Sequence, residues 1–197
     1  MKRFSRAWLG IGAGLVLLST AACGFNGVID LDEAVKAGWA EVENQYQRRM
    51  DLVPNLVNTV KGAANFEQAT LAAVVEARAS ATQVKVDASI VDDPARLKQF
   101  EEAQSKLSGA LGRLLMVSEN YPDLKASAAF RDLAAQLEGT ENRIAVARGR
   151  YITAVAEYNA YVQKFPTMLG AMMRGKSVRP TFTATTPGAD KAPEVKF

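Results

Sequence analysis

The sequence predicts an all-α chain, an up-and-down antiparallel helical bundle. It has three long helices, or four if Pro54 or Gly139 breaks one. Two observations point there. Apolar residues recur at steps of three and four over most of the chain, which places them along one helical face. Alanine and leucine are plentiful and aromatics make up only 8%, a mixture that favours helix over a sandwich or barrel. No stretch combines strand alternation with hairpin turn chemistry.

The first helix is predicted over about Leu31 to Thr82. Its stripe runs Val35, Trp39, Val42, Tyr46, Met50, Val53, Val57, Val60 and Ala64, then Leu71, Val74, Val75 and Arg78. Pro54 lies inside it. An internal proline removes a backbone hydrogen bond and costs ~3 kcal/mol. Either one long helix is kinked near Met50, or a helix ends there and Asp51 caps a second one. The unbroken phase of the stripe favours the kink. Gln83 to Asp93 loses the periodicity and reads as a loop. Asp93 and Pro94 then read as an N-cap followed by an N1 proline. The next stripe is Leu97, Phe100, Gln104, Leu107, Leu111, Leu114, Ser118 and Tyr121, interrupted by Pro122. The last helical region begins near Pro122 or Asp123. Its row is Phe130, Leu133, Leu137, Ile144, Tyr151, Tyr158 and Phe165, with Gly139 as a possible bend. Pro166 closes the pattern. The short apolar segment Met168 to Arg174 follows, and residues 177–197 are expected to be an extended or disordered tail.

The front of the chain carries a different signal. Lys2, Arg3 and Arg6 precede the uncharged run Ala7 to Leu18. Ser19, Thr20, Ala21 and Ala22 then lead to Cys23, the lone cysteine. A basic start, an apolar run and small residues are the order of a secretory signal. Residues 1–22 thus read as a signal peptide resembling those of bacterial lipoproteins, with Cys23 as the lipidation site. Thr20 stands where such signals often have leucine, and Gly24 resembles the outer-membrane sorting class. The alternative is an anchor helix over 7–25, close to the ~20 residues a span needs. Either way the positive charges stay inside and the body faces the periplasm or exterior. Residues 23–30 form a linker and 31–176 the bundle.

The formal charge is +3, and removing the first 22 residues takes away three positive charges and no negative ones. The mature chain is then formally neutral, so the basic pI near 9.0 lends no support to nucleic-acid binding. About 175 mature residues suit one domain with a sizeable core. The chain has no histidine. That removes the commonest general base, histidine-based triads and most zinc sites.

Arg48 to Gly62 reads RRMDLVPNLVNTVKG, followed by Glu67 and by ARAS from Ala77. NYPDLKAS spans Asn120 to Ser127, ENRIAVARGRY Glu141 to Tyr151, and AEYNAYVQKFP Ala156 to Pro166. The chain ends PEVKF. In this order, and with Trp39 ahead of them, these motifs resemble the LemA family of bacterial membrane-associated proteins. The resemblance covers nearly the whole chain past residue 28. It implies a long helical bundle behind an N-terminal membrane attachment, and no particular reaction. Many members look anchored by a transmembrane helix, whereas this front end looks like a lipoprotein signal.

Candidate site residues are Arg48, Arg49, Asp51, Asn55 and Asn58. As a binding patch, the arginine forks would grip a carboxylate or phosphate. As helix-joint chemistry, Asp51 would satisfy amides freed by Pro54 and the arginines would pair with acids on a neighbouring helix. Trp39 reads as core, and Tyr151 and Tyr158 as core with hydroxyls reaching the surface; Tyr161 is off the seam. Glu43, Asp51, Glu67, Glu101 and Glu102 read as solvated surface rather than an acid–base pair. Met168, Leu169, Met172 and Met173, flanked by Arg174, Lys176 and Arg179, suit either lipid headgroup contact or a cap over the bundle end.

The expected function is a membrane-tethered, non-enzymatic helical scaffold or adaptor of the cell envelope. It would bind an envelope protein, with no cofactor, metal, nucleic acid or small-molecule substrate. The alternatives are a self-assembling structural protein on the membrane surface and a cofactor of an envelope processing enzyme.

Overall fold

A computed structural model describes the backbone of residues 2–63, 66–84 and 87–182, and the side chains from residue 26 onward except Ala88. The described residues are all-helical, with no strand among them. Helix α1 spans Lys2–Lys61, α2 Gln68–Gln83, α3 Pro94–Ser118, α4 Pro122–Ala126, α5 Ala128–Gln163 and α6 Thr167–Met173. A short 3₁₀ turn over Ala88–Asp92 precedes α3.

The stripe on α1 is buried as expected. Val35, Trp39, Val42, Tyr46, Met50, Val53, Val57 and Val60 all lie in the core. The predicted helix to Thr82 is not formed. Helix α1 passes through Pro54 and ends at Lys61. Gly62 and Ala63 donate to the carbonyls of Thr59 and Val60, a tightened last turn that stops the helix. Phe66 then enters the core and α2 folds back against α3. Both α1 and α2 bury a three-and-four stripe, so the periodicity survived the reversal and hid it. Val75, which the stripe placed inside, is half-exposed.

The loop before α3 is more ordered than its composition implied. Ile90 and Val91 of the 3₁₀ turn are fully buried. Asp93 caps α3 as predicted, accepting from the amides of Ala95 at 2.9 Å and Arg96 at 3.2 Å, with Pro94 opening the helix. The α3 stripe from Leu97 to Ser118 is buried. Pro122 starts the five-residue α4, and the extended backbone of Ser127 separates it from α5. Gly139 does not break α5. Phe165, expected in the core row, is exposed: α5 ends at Gln163, and the extended Lys164 before Phe165–Pro166 takes the ring out of helical phase.

Helices α1 and α5 run antiparallel in close contact. A side chain at Gly27 would strike the Tyr161 hydroxyl, Gly38 lies against the backbone of Tyr151, and Arg49 reaches Glu141. The core has two parts. One gathers Val28 to Tyr46 of α1, Ile144 to Val162 of α5, the 3₁₀ turn, the start of α3, Ala171 of α6 and Phe182. The other gathers Met50 to Val60 of α1 with α2, the rest of α3, Leu124, Phe130 and Leu137. Residues 177–182 carry no regular secondary structure and form a packed strap. Phe182 is buried against Trp39 and Tyr151, with ring centroids 6.1 and 5.4 Å away, and Arg179 is buried beside it. The rest of the tail, 183–197, lies outside the described residues. So do the side chains of residues 1–25, including the proposed lipidation site Cys23.

Candidate functional site

Arg49 does not share a surface with Arg48, Asp51 and Asn55. A helix turns ~100° per residue, so neighbours diverge. Arg49 points inward and is 1% exposed, while Arg48, Asp51 and Asn55 are on the surface. Asp51 accepts from the Gln47 side chain at 2.8 Å, not from an amide freed by Pro54. The Asn55 carbonyl accepts from Thr59 Oγ1 at 2.9 Å, and Asn58 is also exposed.

Arg49 sits at the junction of the two core clusters. Its Nη1 donates to Ser108 Oγ at 2.6 Å and to Glu141 Oε1 at 2.5 Å. Its Nη2 donates to the side-chain oxygen of Gln104 and to the Gln104 carbonyl at 3.3 Å. The guanidinium also lies 4.9 Å from the Tyr46 ring centre. One side chain from α1 thereby joins α3 and α5. Arg148 of α5 and Glu101 of α3 add a second ion pair at 3.5 Å. Glu101 is therefore buried and paired, not the solvated carboxylate its sequence context implied. These groups line a cavity of ~140 Å³. Burial raises the Tyr46 hydroxyl pKa, against the opposing charges of Arg148 and Arg49. The arrangement binds three helices together through paired charge, both terminal nitrogens of Arg49 being bonded while its buried Nε has no hydrogen-bond partner.

Pro54 leaves the Met50 carbonyl without its helical partner. Arg78 of α2 supplies one, its Nε lying 3.2 Å from that oxygen. Arg78 also lines a ~280 Å³ groove with Tyr46, Met50, Phe100 and Gln104. The sequence showed the orphaned carbonyl, since Pro54 implies it, but not the donor, 28 residues along the chain.

A second charged knot closes the opposite end of the first core cluster. Asp32 of α1 is almost fully buried and receives Lys176 at 3.0 Å, Lys36 at 3.1 Å and Arg179 at 2.8 Å. Arg179 also holds Asp92 at 2.9 Å and stacks 4.8 Å from the Tyr158 ring centre. Asn159 clamps the strap backbone, accepting from the Arg179 amide at 2.8 Å and donating to its carbonyl at 2.9 Å. Burial alone would raise the Asp32 pKa; the bonds from Lys176 and Lys36 and the charge of Arg179 outweigh it, and the carboxyl lies below its ordinary range. Tyr151 and Tyr158 are fully buried, so their hydroxyls do not reach the surface. The Tyr151 hydroxyl donates to the Pro180 carbonyl at 3.3 Å, and burial pushes its pKa up to about 12. No sequence motif singles out Asp32. Its isolation on a helix face shared with Val28 and Val35 was the available clue.

Among the described residues no group of three His, Cys, Asp or Glu side chains is placed to hold a metal ion. Among them, too, no helix is long and apolar enough to cross a membrane.

Fold and site together define an all-helical protein whose inward-facing charges are joined to one another across helices. Residues 38–197 match the model of the LemA family, and the chain belongs to that family. Among curated proteins it is similar to the magnetosome protein MamQ of Magnetospirillum gryphiswaldense, 23% identical over 82% of this chain and 65% of that protein. Magnetosome protein MamQ 2 of Paramagnetospirillum magneticum is 24% identical over the same shares. Protein LemA of Metamycoplasma hominis is 26% identical over 61% of this chain and 51% of its own length. The chain thus spans under two thirds of the length of these relatives.

Proposed function

We propose that this protein is a membrane-tethered, non-enzymatic scaffold of the bacterial envelope, holding a rod of alternating helices at a membrane and presenting its outer faces to a protein partner. The observation that carries the proposal is the continuity of α1. One helix runs from Lys2 to Lys61, with the apolar run 7–18 near its start and the core stripe from Val28 onward. With residues 7–25 as the anchor, tether and body share one helix and transmit position without a flexible joint; with Cys23 lipidated, the lipid sits five residues before the buried Val28 on the same helix. The tether is N-terminal whether Cys23 takes a lipid or residues 7–25 span the bilayer. Family membership and the likeness to magnetosome proteins support membrane association. The internal pairing of Arg49 with Glu141 and of Glu101 with Arg148 supports a structural rather than catalytic use of the buried charge.

The test is fractionation of cells making the full chain, with intact mass of the purified product. The proposal predicts recovery in the membrane fraction, facing away from the cytoplasm. Cys23→Ser releases the chain or blocks its processing if the tether is a lipid, and leaves it in place if 7–25 is the anchor. A wild-type chain found free in the cytosol refutes the proposal.

A further inference from the structure

Half of the strongly exposed large apolar side chains among the described residues crowd into one short segment. Phe165 is 78% exposed, Leu169 51%, Met172 67%, Met173 81% and Val178 55%. The others (Ile29 apart) are scattered singly, as on any soluble surface. Clustering of this kind marks a contact surface. The segment is held firmly in place. Ala171 anchors α6 in the core, Thr167 Oγ1 donates to the Tyr161 carbonyl at 2.6 Å, and Lys176 and Arg179 grip Asp32. The apolar side chains are therefore presented outward by a fixed mount.

Position says what they meet. Tyr161 lies against Gly27, and Lys176 against Asp32. The patch thus sits beside residues 27–32 of α1, at the end of the core from which the helix continues back toward the apolar run. Gly27 lies two residues past the end of the candidate 7–25 span and four past Cys23, only ~3–6 Å along a helix axis. An interfacial helix seats its apolar face ~5–10 Å into the headgroup and acyl boundary, so a patch at this level is within reach of the bilayer that the tether enters. Lys164 is exposed at its edge, where an ammonium can meet headgroup phosphate. We infer that Phe165, Leu169, Met172 and Met173 dip into the membrane interface as a second, lateral contact. This contact fixes how the rod stands on the bilayer. The inference rests on the N-terminal tether proposed above and adds a membrane-binding surface to it. Flexible methionines suit a fluid, unspecific partner.

The test uses the full chain in phosphatidylcholine–phosphatidylglycerol vesicles containing a lipid with a photoreactive acyl chain. Trypsin cuts after Lys164 and Arg174, so the patch leaves as one peptide, residues 165–174. Lipid adducts on that peptide are expected. Leu169→Asp with Met172→Asp should cut the adduct yield several-fold while the same fraction of protein sediments with the vesicles. Co-sedimentation with adducts confined to residues 1–25 overturns this inference and leaves the tether standing. Protein–protein cross-links through 165–174 in place of lipid adducts overturn it in favour of self-association. A wild-type chain that does not sediment overturns the tether and the inference with it.

Discussion

Arg78→Met should destabilise the protein, and should do so more strongly while Pro54 is present. The Met50 carbonyl has no amide partner one turn on, because residue 54 is proline. Arg78 Nε fills that vacancy from α2 at 3.2 Å. A hydrogen bond from a charged donor contributes ~1.5–3 kcal/mol. The length of this one and the half-buried donor place it at the low end, ~1.5 kcal/mol. Methionine keeps the apolar stem, so the change reports the guanidinium rather than lost packing. At ~2–4 °C per kcal/mol for a domain of this size, the melting temperature should fall by ~3–6 °C. Pro54→Ala returns an amide to the Met50 carbonyl, so the same Arg78→Met change should cost less in that background. The coupling between the two sites should be ~1 kcal/mol. Urea unfolding of the four variants in mild detergent, followed by far-ultraviolet circular dichroism, measures it. Equal costs of Arg78→Met with and without Pro54 would refute the reasoning.

Arg49→Met should cost ~2–4 kcal/mol, because Gln104 and Ser108 lose a buried donor while the half-exposed Glu141 regains water; a variant that melts normally yet loses a membrane protein in a pull-down would instead make Arg49 a binding residue. Asp32 is held below its ordinary pKa of 3.8 in the folded state, so its contribution is full above about pH 4–5 and fades as pH falls below 3.8. The melting temperature should drop in that window, and Asp32→Asn should remove part of the slope. Tyr151 titrates near 12 instead of 10; its contribution is present below pH 10 and lost as pH rises from 10 to 12. Tyr151→Phe should flatten part of that alkaline loss in an unfolding titration.

The parts of the fold legible in the sequence were those set by local chemistry. Asp93–Pro94 opened α3 where it was expected because a cap and its amides lie within three residues. The α3 stripe and the heptad row of α5 from Leu137 to Tyr158 were legible because spacing on a helix decides which face is buried. The reversal after Lys61 was not, since two successive helices with the same stripe look continuous. Phe165 misled for the opposite reason: it kept the heptad spacing but lay past the last helical residue. At the candidate site, the sequence flagged Arg49 and Pro54 and missed what completes them. Gln104, Ser108, Glu141 and Arg78 come from helices that only tertiary packing brings near. The packed strap was hidden because Arg179 and Phe182 sit in tail-like composition, and only the Asp32 and Trp39 surfaces give them a place.

The most direct test of the scaffold account is the height of the far end of α1 above the bilayer. Some 36 residues separate Phe25 from Lys61, or ~54 Å of helix. A donor fluorophore attached at the exposed Lys61 and an acceptor dye in the lipid headgroups report that height by energy transfer in vesicles. A helix held upright by its tether and by the α6 patch predicts weak transfer, matching a separation of ~50 Å. Strong transfer, with the tip lying on the lipid surface, would contradict it.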